Sequence, residues 1–147
     1  MTPALFDRLT GEDPSQAALD MIPYAAFMGM ALRRSGDSIS LVMRQDLKLV
    51  GAPGRLHGGA IGAALEFAGM AELLWRDYLA GHTAEPMARP VSLTVDFMRG
   101  ARADADLQAR ARVMRQGARI ALVHAEAWQQ DMAAPVASGI MHFRLGA

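Results

Sequence analysis

One stretch decides what this chain can fold into. From about His57 to Leu79 runs the single long segment with helical spacing, and on both sides of it apolar residues alternate with a period of two. Ile61, Ala64, Leu65, Ala68, Glu72 and Trp75 recur at steps of three and four, as a helix with a wide apolar face requires. Gly51-Ala-Pro-Gly54 breaks the chain before this helix, and Gly81 stops it. Upstream, Ser35-Gly36-Asp37 is a turn joining two expected strands, Phe27–Arg33 and Ser38–Asp46. Downstream, Val91, Leu93, Val95 and Phe97 alternate with polar residues in an expected strand Val91–Arg99. Strands at Ala105–Val113, Ile120–Trp128 and Val136–Arg144 follow, separated by turns at Gln116-Gly117 and Asp131–Pro135. Thr10–Asp20 is short and polar and reads as a helical turn or two leading into Ile22-Pro23. Two strands, one helix and four strands make an α+β chain, in which an antiparallel sheet can wrap the single helix.

Composition narrows the function. At 147 residues the chain is read as one domain spanning 1–147, with 1–20 as an N-terminal lead-in. Its 52% hydrophobic content excludes intrinsic disorder. Fifteen basic and fifteen acidic residues cancel, which argues against a nucleic-acid partner. With no cysteine there is neither a disulfide framework nor a thiol nucleophile. Asp7 and Arg8 interrupt any apolar core in Met1–Thr10, and Glu66 and Glu72 interrupt Ala60–Trp75. Neither a signal peptide nor a membrane span is expected, and the default is a soluble cytoplasmic protein. Fourteen of the fifteen basic residues are arginine, which reflects either a coding bias or a need to hold phosphate.

The most informative residues are Arg55-Leu-His57-Gly58-Gly59 and Glu66. The helical neighbours of Glu66 at three and four residues are Gly62, Ala63, Gly69 and Met70, none of which can pair with a carboxylate. So small a face suits a ligand or another backbone pressed against it. Desolvation there would raise the carboxyl pKa, as a general base or nucleophile needs. His57 and Glu66 lie nine residues apart, half a turn out of phase and about 13 Å apart along a helix axis. One chain therefore cannot bring them together, whereas a twofold dimer can, giving two equal shared sites. Gly58 and Gly59 are open to two readings: a tight turn into the helix, or unpaired N–H donors at its positive end that polarise a carbonyl.

These residues carry a resemblance. Gly54-Arg-Leu-His57-Gly58-Gly59-Ala60 with an acid nine residues after the histidine is similar to the hotdog-fold acyl-CoA thioesterases of the phenylacetate-degradation, or PaaI-like, type. Ile22-Pro23 with Gly29, the segment Phe97-Met98-Arg99-Gly100-Ala101, and Arg115-Gln-Gly117 extend the likeness over roughly residues 20–145. It implies a hotdog fold, homodimers that pair again into tetramers, and hydrolysis of acyl-CoA without a metal or other cofactor. It also implies that the Gly58 amide polarises the thioester carbonyl, that Glu66 attacks or activates water, and that His57 positions the thioester end. Gly59 would allow close approach of substrate.

Two positions depart from the family. Gly51 stands where Asn or Gln is common, so slow or narrow hydrolysis is expected; Met70, four residues past the acid, points to an apolar acyl pocket. Arg99 and Arg102 flank a strand end where this fold tends to place the CoA nucleotide; they are either phosphate contacts or solvated arginines. His82, His124 and His142 show no metal-ligand spacing and read as structural or surface residues. The rival readings are a non-catalytic acyl-CoA binder of the same fold and, less favoured, a hydratase, which would need an Asp and His close together in one chain.

Overall fold

The structure, a computed structural model, describes residues 1, 3–82 and 88–146. Seven strands form one sheet: β1 (Ser15–Ala18), β2 (Met30–Ser35), β3 (Ser38–Met43), β4 (Ala88–Phe97), β5 (Leu107–Gln116), β6 (Ile120–Trp128) and β7 (Ala137–Leu145). Their spatial order is β1-β2-β3-β5-β6-β7-β4, with every pairing antiparallel. Two short helices, α1 (Pro3–Asp7) and α2 (Pro23–Phe27), precede the 22-residue α3 (Gly58–Leu79), which packs against β3, β4, β5, β6 and β7. One antiparallel sheet wrapped around one long helix is the hotdog fold.

Small residues let the helix lie close to the sheet. The inward positions of β5 and β6 include Ala109, Ala121, Ala125 and Ala127, all fully buried. On the helix side, a Cβ at Gly69 would lie 2.8 Å from the Met141 sulfur and 3.2 Å from the Phe143 ring, so a larger residue there must move the Met141 side chain. The larger side chains fill what remains: Leu65 and Trp75 on α3 and Leu41, Met43 and Phe143 on the strands are all nearly or wholly buried. Trp75 satisfies its indole N–H on the carbonyl of Asp37 at 2.9 Å, which ties the last turns of α3 to the β2–β3 hairpin.

The N-terminal lead-in departs from the sequence expectation. Thr10–Asp20 forms no helical turns; it contains β1, paired with β2 from Ser15↔Arg34 to Ala18↔Ala31. The reason is visible in Ala17 and Leu19, two buried apolar residues at a spacing of two in an otherwise polar segment. The expected strand Phe27–Arg33 also starts late. Pro23 opens α2, and Gly29, at φ +66, closes the turn, so β2 begins only at Met30. At the other end of the sheet, β4 stops at Phe97, leaving Met98 and Arg99 in the following connection.

Candidate active site

The segment between β3 and α3 is clamped from two sides. Gly51 donates to the Arg55 carbonyl and Arg55 to that of Ala52, both at 2.9 Å, around a turn in which Gly54 takes φ +72. Leu56 then donates to the Ala101 carbonyl at 3.0 Å, and His57 to that of Leu49 at 2.8 Å. The helix start is thereby fixed against the chain that leaves β4. His57 is the N-cap: its Nδ1 accepts from the Gly59 N–H at 2.9 Å. That bond needs an unprotonated Nδ1, so in the neutral ring the proton sits on Nε2, away from the helix. It also occupies the Gly59 amide, leaving the Gly58 N–H without an acceptor among the described residues. Gly58 itself lies against the Phe97 ring; a Cβ there would be 3.2 Å from Cζ.

Glu66 stands two and a half turns along α3, on a stripe of the helix that is not fully buried, with Gly62, Ala63 and Met70. Nothing lies within 4 Å of where a Gly62 side chain would begin, so the space one turn before Glu66 is open. Among the described residues the Glu66 carboxylate has no hydrogen-bond or ion-pair partner, and burial pushes its pKa above the ordinary glutamate range. Glu72, on another face of the same helix, is also raised by burial, but Arg76 at 3.4 Å and the nearby Arg110 pull it back. The two carboxylates differ in this respect: one is neutralised by its neighbours and the other is not.

A cleft of about 400 Å³ opens at the helix start, lined by Gly58 and Ile61 of α3, by Phe97, and by Arg55 and Arg99. Of the expected ligand-binding residues it brings Gly58 and Arg99 together. Arg102 is elsewhere engaged: its guanidinium makes paired bonds of 2.9 and 2.7 Å to the Asp104 carboxylate. A larger cavity, about 460 Å³, is lined by Glu72, Arg110, Arg112, His124, Glu126 and Trp128 among others, and holds none of the catalytic or substrate-binding residues expected from sequence. His82 and His142 meet Asp77 at 3.3 Å and the Ser92 hydroxyl at 2.9 Å. Among the described residues no three His, Asp or Glu side chains are grouped to hold a metal. The sequence motifs include Arg55 and Phe97 but assign neither of them a role.

Comparison with known proteins identifies the family and the fold. Residues 50–144, more than half of the chain, match the family described as the acyl-CoA thioesterase N-terminal domain, and the chain belongs to that family. No curated protein sequence matches it. Among solved structures, a protein from Chromobacterium violaceum is 29% identical with a TM-score of 0.69, over 87% of this chain and 86% of that one. A thioesterase from Haemophilus influenzae is 18% identical with a TM-score of 0.68, over 84% and 82%. A mutant of the phenylacetic acid degradation protein PaaI from Thermus thermophilus is 20% identical with a TM-score of 0.65, over 84% and 98%. The last two share the fold. Among the described residues no helix is long and apolar enough to cross a membrane.

Proposed function

We propose that the chain hydrolyses acyl-CoA thioesters at a site shared between two protomers. The observation that carries this reading is Glu66: a partly buried carboxylate with a raised pKa, no polar partner among the described residues, and open space beside it. In this reading the Gly58 N–H holds the thioester carbonyl and stabilises its developing negative charge. Glu66 of the other protomer either takes a proton from water that attacks the carbonyl carbon, or attacks that carbon itself to give an anhydride that water then hydrolyses; in both cases the C–S bond breaks and the CoA thiolate leaves. His57, held by Gly59, presents its Nε2–H towards the thioester end, and Met70 lines the acyl pocket one turn beyond Glu66.

Distance supports sharing, since His57 and Glu66 are about 13 Å apart along α3. The sheet supports it. β4 is a ten-residue edge strand with β7 as its one neighbour, and it exposes 62% of Val91 and 57% of Phe97. A second copy seated on this edge covers apolar surface beside Gly58, which the Phe97 ring already touches. Association of such dimers into tetramers belongs to the same proposal.

The acyl group, on the likeness to the PaaI type, is aromatic or of medium length. The test is free-thiol release from a panel of aryl- and alkyl-CoA esters by wild type and Glu66→Ala. Turnover lost in the variant supports the proposal, and tight binding without turnover in either protein supports the non-catalytic binder. The latter draws on Gly51, which offers no side-chain amide to the site.

A further inference from the structure

Arg55 lies in the cleft at the start of α3. Its backbone is held on both faces. Its N–H and C=O are bonded within the 51–55 turn, and it bridges to Arg102 across the chain that follows β4. Its guanidinium rests on Gly100: a Cβ at that position would lie 3.1 Å from Cζ and from Nη1 and 3.2 Å from Nε. Glycine at 100 therefore leaves the room that the guanidinium fills.

The charge is not spent there. Arg8 pairs with Asp20, Arg76 with Glu72 and Arg102 with Asp104, each within 3.4 Å. Arg55 has no carboxylate partner among the described residues, and its side-chain hydrogen bond is a long one, 3.5 Å from Nη1 to the Gly100 carbonyl. Most of its five N–H donors remain available. It lines the same cleft as Gly58 and as Arg99, which is likewise without an ion-pair partner among the described residues. Two residues separate Arg55 from Gly58, which places their Cα atoms within about 11 Å.

We infer that Arg55 binds a phosphate of the CoA portion of the substrate, acting with Arg99 in the cleft that begins at the free Gly58 amide. This rests on the acyl-CoA reading above. A planar guanidinium with fixed parallel donors suits a phosphate oxygen pair, and a cation held in place by Gly100 gives up little freedom on binding.

The test uses one acyl group carried on three thiols: CoA, dephospho-CoA and pantetheine. Arg55→Ala should raise KM for the CoA ester by about tenfold or more, leave kcat within about twofold, and leave the pantetheine ester unaffected. If the effect persists with dephospho-CoA, the contact is to the pyrophosphate; if it vanishes, to the 3′-phosphate. Added salt should shrink it. Equal losses on the CoA and pantetheine esters, or an unchanged KM for the CoA ester, would overturn the assignment. Arg55→Gln, which keeps packing on Gly100 without the charge, replaces Arg55→Ala if the latter lowers Tm. Should wild type turn over none of the three esters, the hydrolase reading fails. Calorimetry with free CoA then decides the role of Arg55: about tenfold weaker binding by the variant supports it, and equal or absent binding refutes it.

Discussion

Gly51 and His57 are in direct contact: a Cβ at position 51 would lie 3.0 Å from the Cα of His57 and 3.2 Å from its Cδ2. The side chain that thioesterases of the resembled type carry at this position fits here only if His57 gives way by a few tenths of an ångström. His57 in turn is fixed by its backbone bond to Leu49 and its cap on Gly59. An Asn or Gln at this position would therefore enter the space beside the His57 ring.

Gly51→Asn should therefore harm rather than restore. Overpacking against a backbone atom costs about 1–3 kcal/mol, so Tm should fall by several degrees and kcat/KM should fall with it as His57 shifts. A thermal scan beside a thiol-release assay measures both. A rise in kcat/KM at unchanged Tm would show that the loop accommodates the larger residue.

Glu66→Gln should abolish turnover and stabilise the fold at neutral pH. Burial raises the Glu66 pKa in the folded state, so the folded protein disfavours the charged form. The resulting penalty is absent below the ordinary carboxylate range, grows as pH rises from there through the folded-state pKa, and is complete above it. Melting curves of wild type and variant should coincide in acid and separate towards neutrality, with the variant melting higher. In wild type, kcat/KM should climb with pH along a limb displaced above the ordinary glutamate value. A variant that melts lower at pH 7 would contradict this.

Arg99 and Arg102 should behave differently despite their proximity. Arg102 is already paired with Asp104 and its backbone N–H is bonded to Gln129 at 2.8 Å, whereas Arg99 lines the cleft with Gly58. Arg99→Ala should raise KM for a CoA ester by about tenfold, and Arg102→Ala should leave it within about twofold. Steady-state kinetics on the two variants separate these outcomes.

Gly69→Ala tests the packing of the helix on the sheet. Its Cβ would meet the Met141 sulfur at 2.8 Å and Phe143 at 3.2 Å, both fully buried. We expect a loss of about 1–3 kcal/mol, read as a lower Tm. Pairing it with Met141→Ala should recover part of the loss, since the two changes share one volume.

Periodicity made most of the fold legible. The α3 span from Gly58 to Leu79 and the strands β3 to β7 follow from spacings of 3.6 and 2 over long segments. β1 was not legible, because four residues carry too little pattern and the strand exists only through its pairing with β2. The solitary character of Glu66 was readable from its helical neighbours alone. Arg55 was not: what distinguishes it is Gly100, forty-five residues away in sequence, and no local pattern reports a contact made across two connections.

The two edges of the sheet are unequal: β1 offers four residues and β4 ten. A sheet that can be extended on one side alone adds one neighbour and then has no long free margin left. In the proposed dimer, association through β4 would therefore terminate at a pair, and the row of unpaired backbone groups that could otherwise seed an open-ended fibre would be consumed in forming it.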